Sequence, residues 1–335
     1  MPDPADPAVI GVDVGGTKIA AGRVVGPDVH EPAQVATDLS SPTALLDGLE
    51  ATIREVIERS GEPDAIGVGL PSQVDFESGV VVTSVNIPLE GVHVADDLEE
   101  RLGVRVFVDN DANVAALAEG QFTAGRPARE LVMLTLGTGV GGGVLIDGKI
   151  FRGATGLGAE LGHVTIQMDG PECPGACPNR GCLEAYCSGT ALERDATALA
   201  AERPESWLGE VAAHNAGRVR GHHVVDAARQ GEEDAIELLA VLGRRLGVGI
   251  ASFVNIFEPD HVVIGGGLSA AADLFLDAAR DEAAARALPA LFERAQVSVA
   301  RAGNHAGVIG AGLLAAQELG LSGDTSKPRS PEEVR

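Results

Sequence analysis

All four cysteines of the chain fall between residues 173 and 187, in "ECPGACPNRGCLEAYC", and His163 precedes them closely. Such a cluster can make two disulfides, a redox pair or a metal site. His163, Cys173, Cys177 and Cys182 supply one imidazole and three thiolates, a sufficient tetrahedral set for structural Zn²⁺. The prolines and glycines between the cysteines let the chain wrap around an ion. Cys187 follows in "LEAYCSG" and reads as buried apolar filler, with replacement of one of the other three thiolates as the alternative.

Two further stretches could do chemistry. In "VDNDANVAALAEG" an apolar strand delivers Asp109, Asn110 and Asp111 to its C-terminal end, and Asn113 follows in the first turn of a helix. One of these four polar residues is accounted for as a helix cap. The rest exceed what a cap needs, and a carboxylate near a substrate hydroxyl suits a general base. In "DVGGTK", Asp13 ends a strand, and Gly15 and Gly16 are expected to turn with positive φ and admit a ligand close to the backbone. Thr17 and Lys18 add a hydroxyl and one of the few lysines. A plain tight hairpin is the competing reading. The flanking Asp and Thr-Lys favour a nest of backbone N–H groups for phosphate. Glu160 and His163 share the loop "GATGLGAELGHVTI", just before an expected strand.

These residues need a scaffold. "VIGVDVGGTKIAAGRVVG" (9–26) reads as strand, glycine turn, strand. "LVMLTLGTGVGGGVLIDG" (131–148) repeats that design, with Asp13 falling on Thr135, Gly15 on Gly137 and Thr17 on Gly139. Two copies of an α/β unit suggest a nucleotide held between two lobes. Between the hairpins the pattern predicts a helix over 44–60, a strand over 64–71 and a hairpin over 74–85. A helix over 94–102, a strand over 104–111 and a helix over 112–124 follow. Alanine-rich helices run to about 255, then a strand over 260–267 ends in three glycines. A final helix over 306–319 carries a small-residue face, and the polar tail is expected to be disordered.

A formal net charge of −24 over 335 residues argues against nucleic acid or an anionic membrane as partner. No basic-then-apolar leader and no run of 18 apolar residues is present, so a cytoplasmic protein with reduced cysteines is expected. That makes disulfides the weaker reading of the cysteine cluster.

In "DVGGTK", "VDNDAN", "LTLGTGVGGGVLIDG", "GAELGH", "CPNRGCLEAYCSG" and "VIGGG", taken in this order, the sequence resembles the ROK family (repressors, open reading frames and sugar kinases) over about residues 8–318, and within it the bacterial glucokinases. The resemblance implies an α/β, two-lobe actin-like (ribonuclease-H-type) ATPase fold with a structural zinc loop. The implied lobes are 1–120, completed by a helix at 305–320, and 121–304, which carries the zinc loop, with 321–335 as the tail. It also implies phosphoryl transfer from ATP, with Mg²⁺, to a hexose. Glucose is favoured over fructose, mannose, allose or an N-acylhexosamine. Asp111 matches the catalytic base, and Asn110, Glu160, His163 and Glu184 match the sugar-binding residues. His163, Cys173, Cys177 and Cys182 match the zinc ligands. Asp13, Gly15, Gly16, Thr17, Lys18, Gly137, Thr138, Gly139, Gly266 and Gly267 match the ATP-binding segments, with Asp13 near the Mg²⁺ hydration shell. A homodimer or homotetramer is implied, with no nucleic acid and no membrane. The family's repressors carry a DNA-binding segment ahead of the first hairpin, where this sequence has about eight residues. Two departures stand out. Three residues, rather than one, separate Cys173 from Cys177, and Pro71-Ser72-Gln73 replaces a usual Pro-Gly.

Overall fold

The computed structural model describes residues 7–123, 127–175 and 177–320. The expected tail, 321–335, and residue 124 of the expected helix lie outside them. The chain divides into two compact units, one of Met1–Leu131, Gly143–Ala159 and Arg301–Arg335, the other of Val132–Gly142 and Glu160–Ala300.

The first hairpin forms from β1 (Val9–Val14) and β2 (Lys18–Val25), continued by β3 (Asp28–Ala36). Helix α1 (Pro42–Ser60) starts two residues before the expected point. Ser41 caps it, its Oγ accepting from the Ala44 N–H at 3.1 Å, and Pro42 takes the first turn, where no N–H is needed. Leu45, Leu49, Ile53 and Val56 form its buried stripe. Strand β4 (Ala65–Leu70) is buried at every residue, as a parallel central strand must be. The hairpin of β5 (Gln73–Asp75) and β6 (Val80–Thr83) leads to α2 (Val94–Leu102), β7 (Val106–Asn110) and α3 (Asp111–Gln121).

The second hairpin is β8 (Leu131–Leu136) and β9 (Val140–Ile146), followed by β10 (Lys149–Ile150). Beyond the cysteine loop come α4 (Glu184–Cys187), α5 (Gly189–Glu202), α6 (Trp207–His214), α7 (Gly221–Arg229) and α8 (Glu233–Phe257). Helix α8 is long and apolar enough to cross a membrane by length and composition. Its apolar side instead supplies core: Leu239, Leu242, Leu246, Ile250 and Phe253 are buried, and Arg244 and Arg245 interrupt the run. Strand β11 (His261–Gly265), α9 (Leu276–Arg286), α10 (Pro289–Phe292), β12 (Gln296–Val299) and α11 (Ala306–Glu318) complete the chain.

The two sheets have the same order. The first runs β3-β2-β1-β4-β7 and the second β10-β9-β8-β11-β12. The hairpins keep a constant offset, Val9 to Leu131 and Lys18 to Val140, so the duplication legible in the sequence is a duplication of topology.

Helix α11 closes on the first sheet through glycine. A methyl at Gly11 would overlap the Val308 carbonyl, one at Gly67 the Ala311 carbonyl, and one at Gly310 the Val114 carbonyl. Backbone therefore meets backbone across β1, β4, α3 and α11, as the small-residue face anticipated.

Candidate active site

The first unit assembles the acidic residues. Parallel pairing places Asp13 opposite Gly69 and Gly69 opposite Asp109, so strand ends of β1, β4 and β7 lie in one row. Asn110 is the cap of the four polar residues. Its Oδ1 accepts from the Ala112 N–H at 2.9 Å and the Asn113 N–H at 3.3 Å, and its Nδ2 donates to the Ser72 carbonyl at 3.2 Å. One amide N–H of Asn110 is left over for another acceptor. Asp109 is buried, and its carboxylate accepts from the Asn110 N–H at 2.7 Å, Asn113 Nδ2 at 2.8 Å and Arg152 Nε at 2.7 Å.

Asp111 opens α3. Burial raises its pKa to about 6, and the nearby Asp13 carboxylate adds to the rise, while the Ala112 N–H opposes it from 2.8 Å. Burial also raises Asp13, with Lys18 pulling the other way. Asp13 packs on the start of α11, where a methyl at Gly307 would overlap its carboxyl group. Two buried carboxylates, one raised by the charge of the other, favour a cation or a shared proton, so the pair suits a hydrated divalent ion.

The first glycine turn corrects one expectation. Neither Gly15 nor Gly16 has a positive φ. The turn is closed by Gly15 N–H donating to the Lys18 carbonyl at 2.8 Å, and Thr37 braces it by donating Oγ1–H to the Gly15 carbonyl at 2.7 Å. Glycine serves here by keeping the turn bare: a methyl at Gly16 would meet nothing within 4 Å among the described residues.

The second unit gathers the other predicted residues. Its turn is closed by the Gly137 N–H donating to the Gly139 carbonyl at 2.9 Å, and the Gly189 N–H at the head of α5 donates to the Gly137 carbonyl at 2.7 Å. Thr190 donates Oγ1–H to the Thr138 carbonyl at 2.8 Å. Gly266 is the glycine here that does need a positive φ, +79°, and a methyl there would run into the Leu136 backbone. A pocket of about 880 Å³ opens beside this turn, lined by Gly137, Thr138, Gly189, Thr190, Gly267 and the basic and acidic side chains of Glu193, Arg218, Arg220, Asp226 and Arg229. Its volume falls within the range of small-ligand sites. The sequence pointed to Gly137, Thr138 and Gly267 but not to the residues of α5, of α7 and of the connection before α7. Their one sequence signal is a run of arginines, 218, 220 and 229, in an acidic chain.

His163, Cys173, Cys177 and Cys182 converge, with their candidate ligand atoms all within 4.8 Å of one another. Tetrahedral Zn–S bonds of about 2.3 Å would set sulfurs ~3.8 Å apart, so the set fits Zn²⁺ after a small contraction. The electrostatics agree. Burial raises Cys173, with the Cys182 and Cys177 thiols adding to it; burial also raises Cys182, where Cys177 adds and Cys173 opposes, a crowding of thiols that a divalent cation would relieve. All four cysteines are free thiols, and Cys187 stands apart, buried against α8 with its thiol toward the Leu242 carbonyl at 3.7 Å. Where a strand was expected after His163, the chain makes a single turn, Leu161–His163, and an isolated bridge from Thr165 to Cys182. The cysteine loop takes the hydrogen-bonding edge that a longer strand would have used.

Glu160 sits at the head of that turn, its carbonyl accepting from the His163 N–H at 3.1 Å. Ala159 before it holds a φ of +63°, uncommon for a residue with a side chain. Glu184 accepts from the Val140 N–H at 2.8 Å through Oε2, and its Oε1 stands 3.8 Å from Cys173 Sγ, which in turn is 3.4 Å from His163 Nδ1. The structure thus brings Glu160, His163, Glu184 and the cysteines together in one unit, and Asp13, Asn110 and Asp111 together in the other.

Duplicated five-stranded sheets, each opening with a glycine hairpin, define the actin-like two-lobe class of α/β fold. The ROK family matches residues 9–318, and the chain belongs to it. It is 34% identical over 322 residues to a glucokinase of Thermotoga maritima, covering 93% of this chain and 98% of that protein. Among solved structures, a ROK hexokinase from Thermus thermophilus superposes with a TM-score of 0.79 at 35% identity, covering 93% of this chain and 99% of that one. A ROK family glucokinase from Streptomyces griseus, in complex with glucose and AMPPNP, gives a TM-score of 0.74 at 36% identity, covering 92% and 99%.

Proposed function

We propose that this chain, an ATP-dependent sugar kinase, phosphorylates glucose to glucose 6-phosphate with Asp111 as general base. The observation that carries this reading is the state of Asp111. It sits at a strand end, its neighbour Asn110 is locked as a cap, and its pKa near 6 lets it take a hydroxyl proton more readily than an ordinary carboxylate. Phosphoryl transfer depends mainly on positioning and charge stabilisation, which matches a site built from fixed amides and carboxylates.

In this reading Asn110, Glu160, His163 and Glu184 hold the ring hydroxyls. The bare turns at Gly15–Lys18 and Gly137–Gly139, with Gly266 and Gly267, present backbone to the phosphates, and the 880 Å³ pocket takes the rest of the nucleotide. Mg²⁺, when bound near Asp13, would neutralise charge on the phosphate oxygens. Zn²⁺, when bound by His163, Cys173, Cys177 and Cys182, would fix one imidazole nitrogen. The second nitrogen of His163 is then held in one tautomer for a sugar hydroxyl. Glucose is preferred because the relatives at 34–36% identity include glucokinases and a glucose complex.

The deciding experiment is ADP release measured across glucose, mannose, fructose, allose and N-acetylglucosamine. Glucose should give the highest kcat/KM. A tenfold preference for another hexose would replace the acceptor, and no ADP release with any of them would remove the kinase reading.

A further inference from the structure

Arg152 lies in the loop that follows β10, where no sequence motif points to it. Its side chain is largely buried and makes three different contacts. Nε donates to Asp109 Oδ2 at 2.7 Å, an Nη donates to Glu318 of α11 at 3.1 Å, and the guanidinium Cζ lies over the ring of Phe76, the residue after β5, 3.5 Å from its centroid. Asp109 is only 2% exposed, so Arg152 is the cation that makes its burial tolerable.

The other oxygen of Asp109 reaches both sides of Asp111. It accepts from the backbone N–H of Asn110, the residue before, and from the amide of Asn113, two residues after. The Asn113 amide is oriented by this contact at some cost, because its Oδ1 is buried without a hydrogen-bond partner among the described residues. Flipping the amide would set Oδ1 against the carboxylate, so the charge of Asp109 decides the orientation. The carboxylate therefore clamps the strand–helix junction, and Arg152 fixes the carboxylate through a charge-assisted bond.

We propose that Arg152 is a positioning residue for phosphoryl transfer, acting through Asp109 to hold Asn110 and Asp111 at the end of β7. This rests on the reading of Asp111 as the base. Lysine cannot replace it fully, because one ammonium cannot fork to Asp109 and Glu318 while stacking on Phe76.

The test is a double-mutant cycle on kcat with Arg152→Ala, Asp111→Ala and both together. Arg152→Ala should lower kcat about tenfold or more, leave the KM for ATP within about twofold, and be partly rescued in Arg152→Lys. In the Asp111→Ala background the same change should cost almost nothing further, since there is no base left to position. A merely structural arginine would lower activity by the same factor in both backgrounds. That result, or a folded Arg152→Ala with wild-type kcat beside an inactive Asp111→Ala, overturns the positioning role alone. An Asp111→Ala enzyme that keeps more than half of its turnover overturns the base, and the positioning role with it. Should Arg152→Ala fail to fold, Asp109→Asn, which keeps the side-chain shape and removes the charge, enters the cycle in its place with the same outcomes.

Discussion

The two sheets share an order and an opening hairpin, yet their strand ends carry opposite chemistry. In the first, Asp13, Asp109 and Asn110 end β1 and β7, and Asp111 follows directly. In the second, the position equivalent to Asp13 is Thr135, and β11 ends in Gly265 followed by Gly266 and Gly267. The connections differ as much. One helix, α1, joins β3 to β4, whereas β10 and β11 are separated by the cysteine loop and α4 to α8. A duplicated backbone thus sets where strand ends fall, and the residue types placed there set what each end can do. A carboxylate buried beside another, as Asp111 is beside Asp13, can handle a proton. Glycines leave backbone donors bare.

The sharpest test of this contrast is to remove its acidic member. Asp111→Ala should cut kcat by at least about 10²-fold, the low end for a lost general base, whereas Thr135→Ala in the other sheet should stay within about threefold under the same assay. Equal losses at the two positions would dissolve the contrast.

Next in size is the loop that only the second unit carries. Cys177→Ser and Cys182→Ser should each lose bound Zn²⁺ and weaken glucose binding about tenfold or more, in line with the effect of disturbing a ligand's support, while ATP affinity changes little. Cys187→Ser should keep the metal. Elemental analysis and calorimetry on the same preparations check this, and a metal-free wild-type enzyme with full activity would sink the zinc assignment.

Gly16→Ala and Gly137→Ala compare the two turns directly. Neither methyl meets any atom of the described residues within 4 Å, so melting temperatures should hardly move. Any rise in the KM for ATP then reports ligand contact and not misfolding. A rise of several-fold is expected in both, and a rise in one alone would assign the phosphates to a single turn.

The smallest effect concerns pH. Asp111 must be ionised to accept a proton, so kcat/KM should fall as pH drops through about 6. For stability the sign is reversed. The folded pKa lies above the unfolded one, so the folded state binds more protons between about 4 and 6, and this carboxyl costs stability as pH rises through that window. Asp111→Asn should therefore be inactive yet melt slightly above wild type at pH 7.5. A lower melting temperature would mean that hydrogen bonding to the ionised form outweighs its burial.

What could be read without coordinates was local. A strand–glycine–strand pattern fixes a hairpin within a few residues, so both hairpins and their constant offset were legible. Cysteine and histidine carry their ligand chemistry in the side chain, so the cluster stood out even with unusual spacing between Cys173 and Cys177. The polar run at 109–113 announced itself, but which member was the cap did not, since that depends on the backbone angles of Asn110. The rest needed the fold. Arg152 meets Asp109 and Glu318 across long stretches of sequence, and Arg220 and Gly189 meet at one pocket only after α5 and α7 have packed. The raised pKa of Asp111 is a product of burial and of Asp13 nearby, neither of which a linear string contains. Gly16, too, serves through open space and not through a positive φ. A residue's type limits what it can do, but desolvation and long-range neighbours decide what it does, and both exist only once the chain is packed.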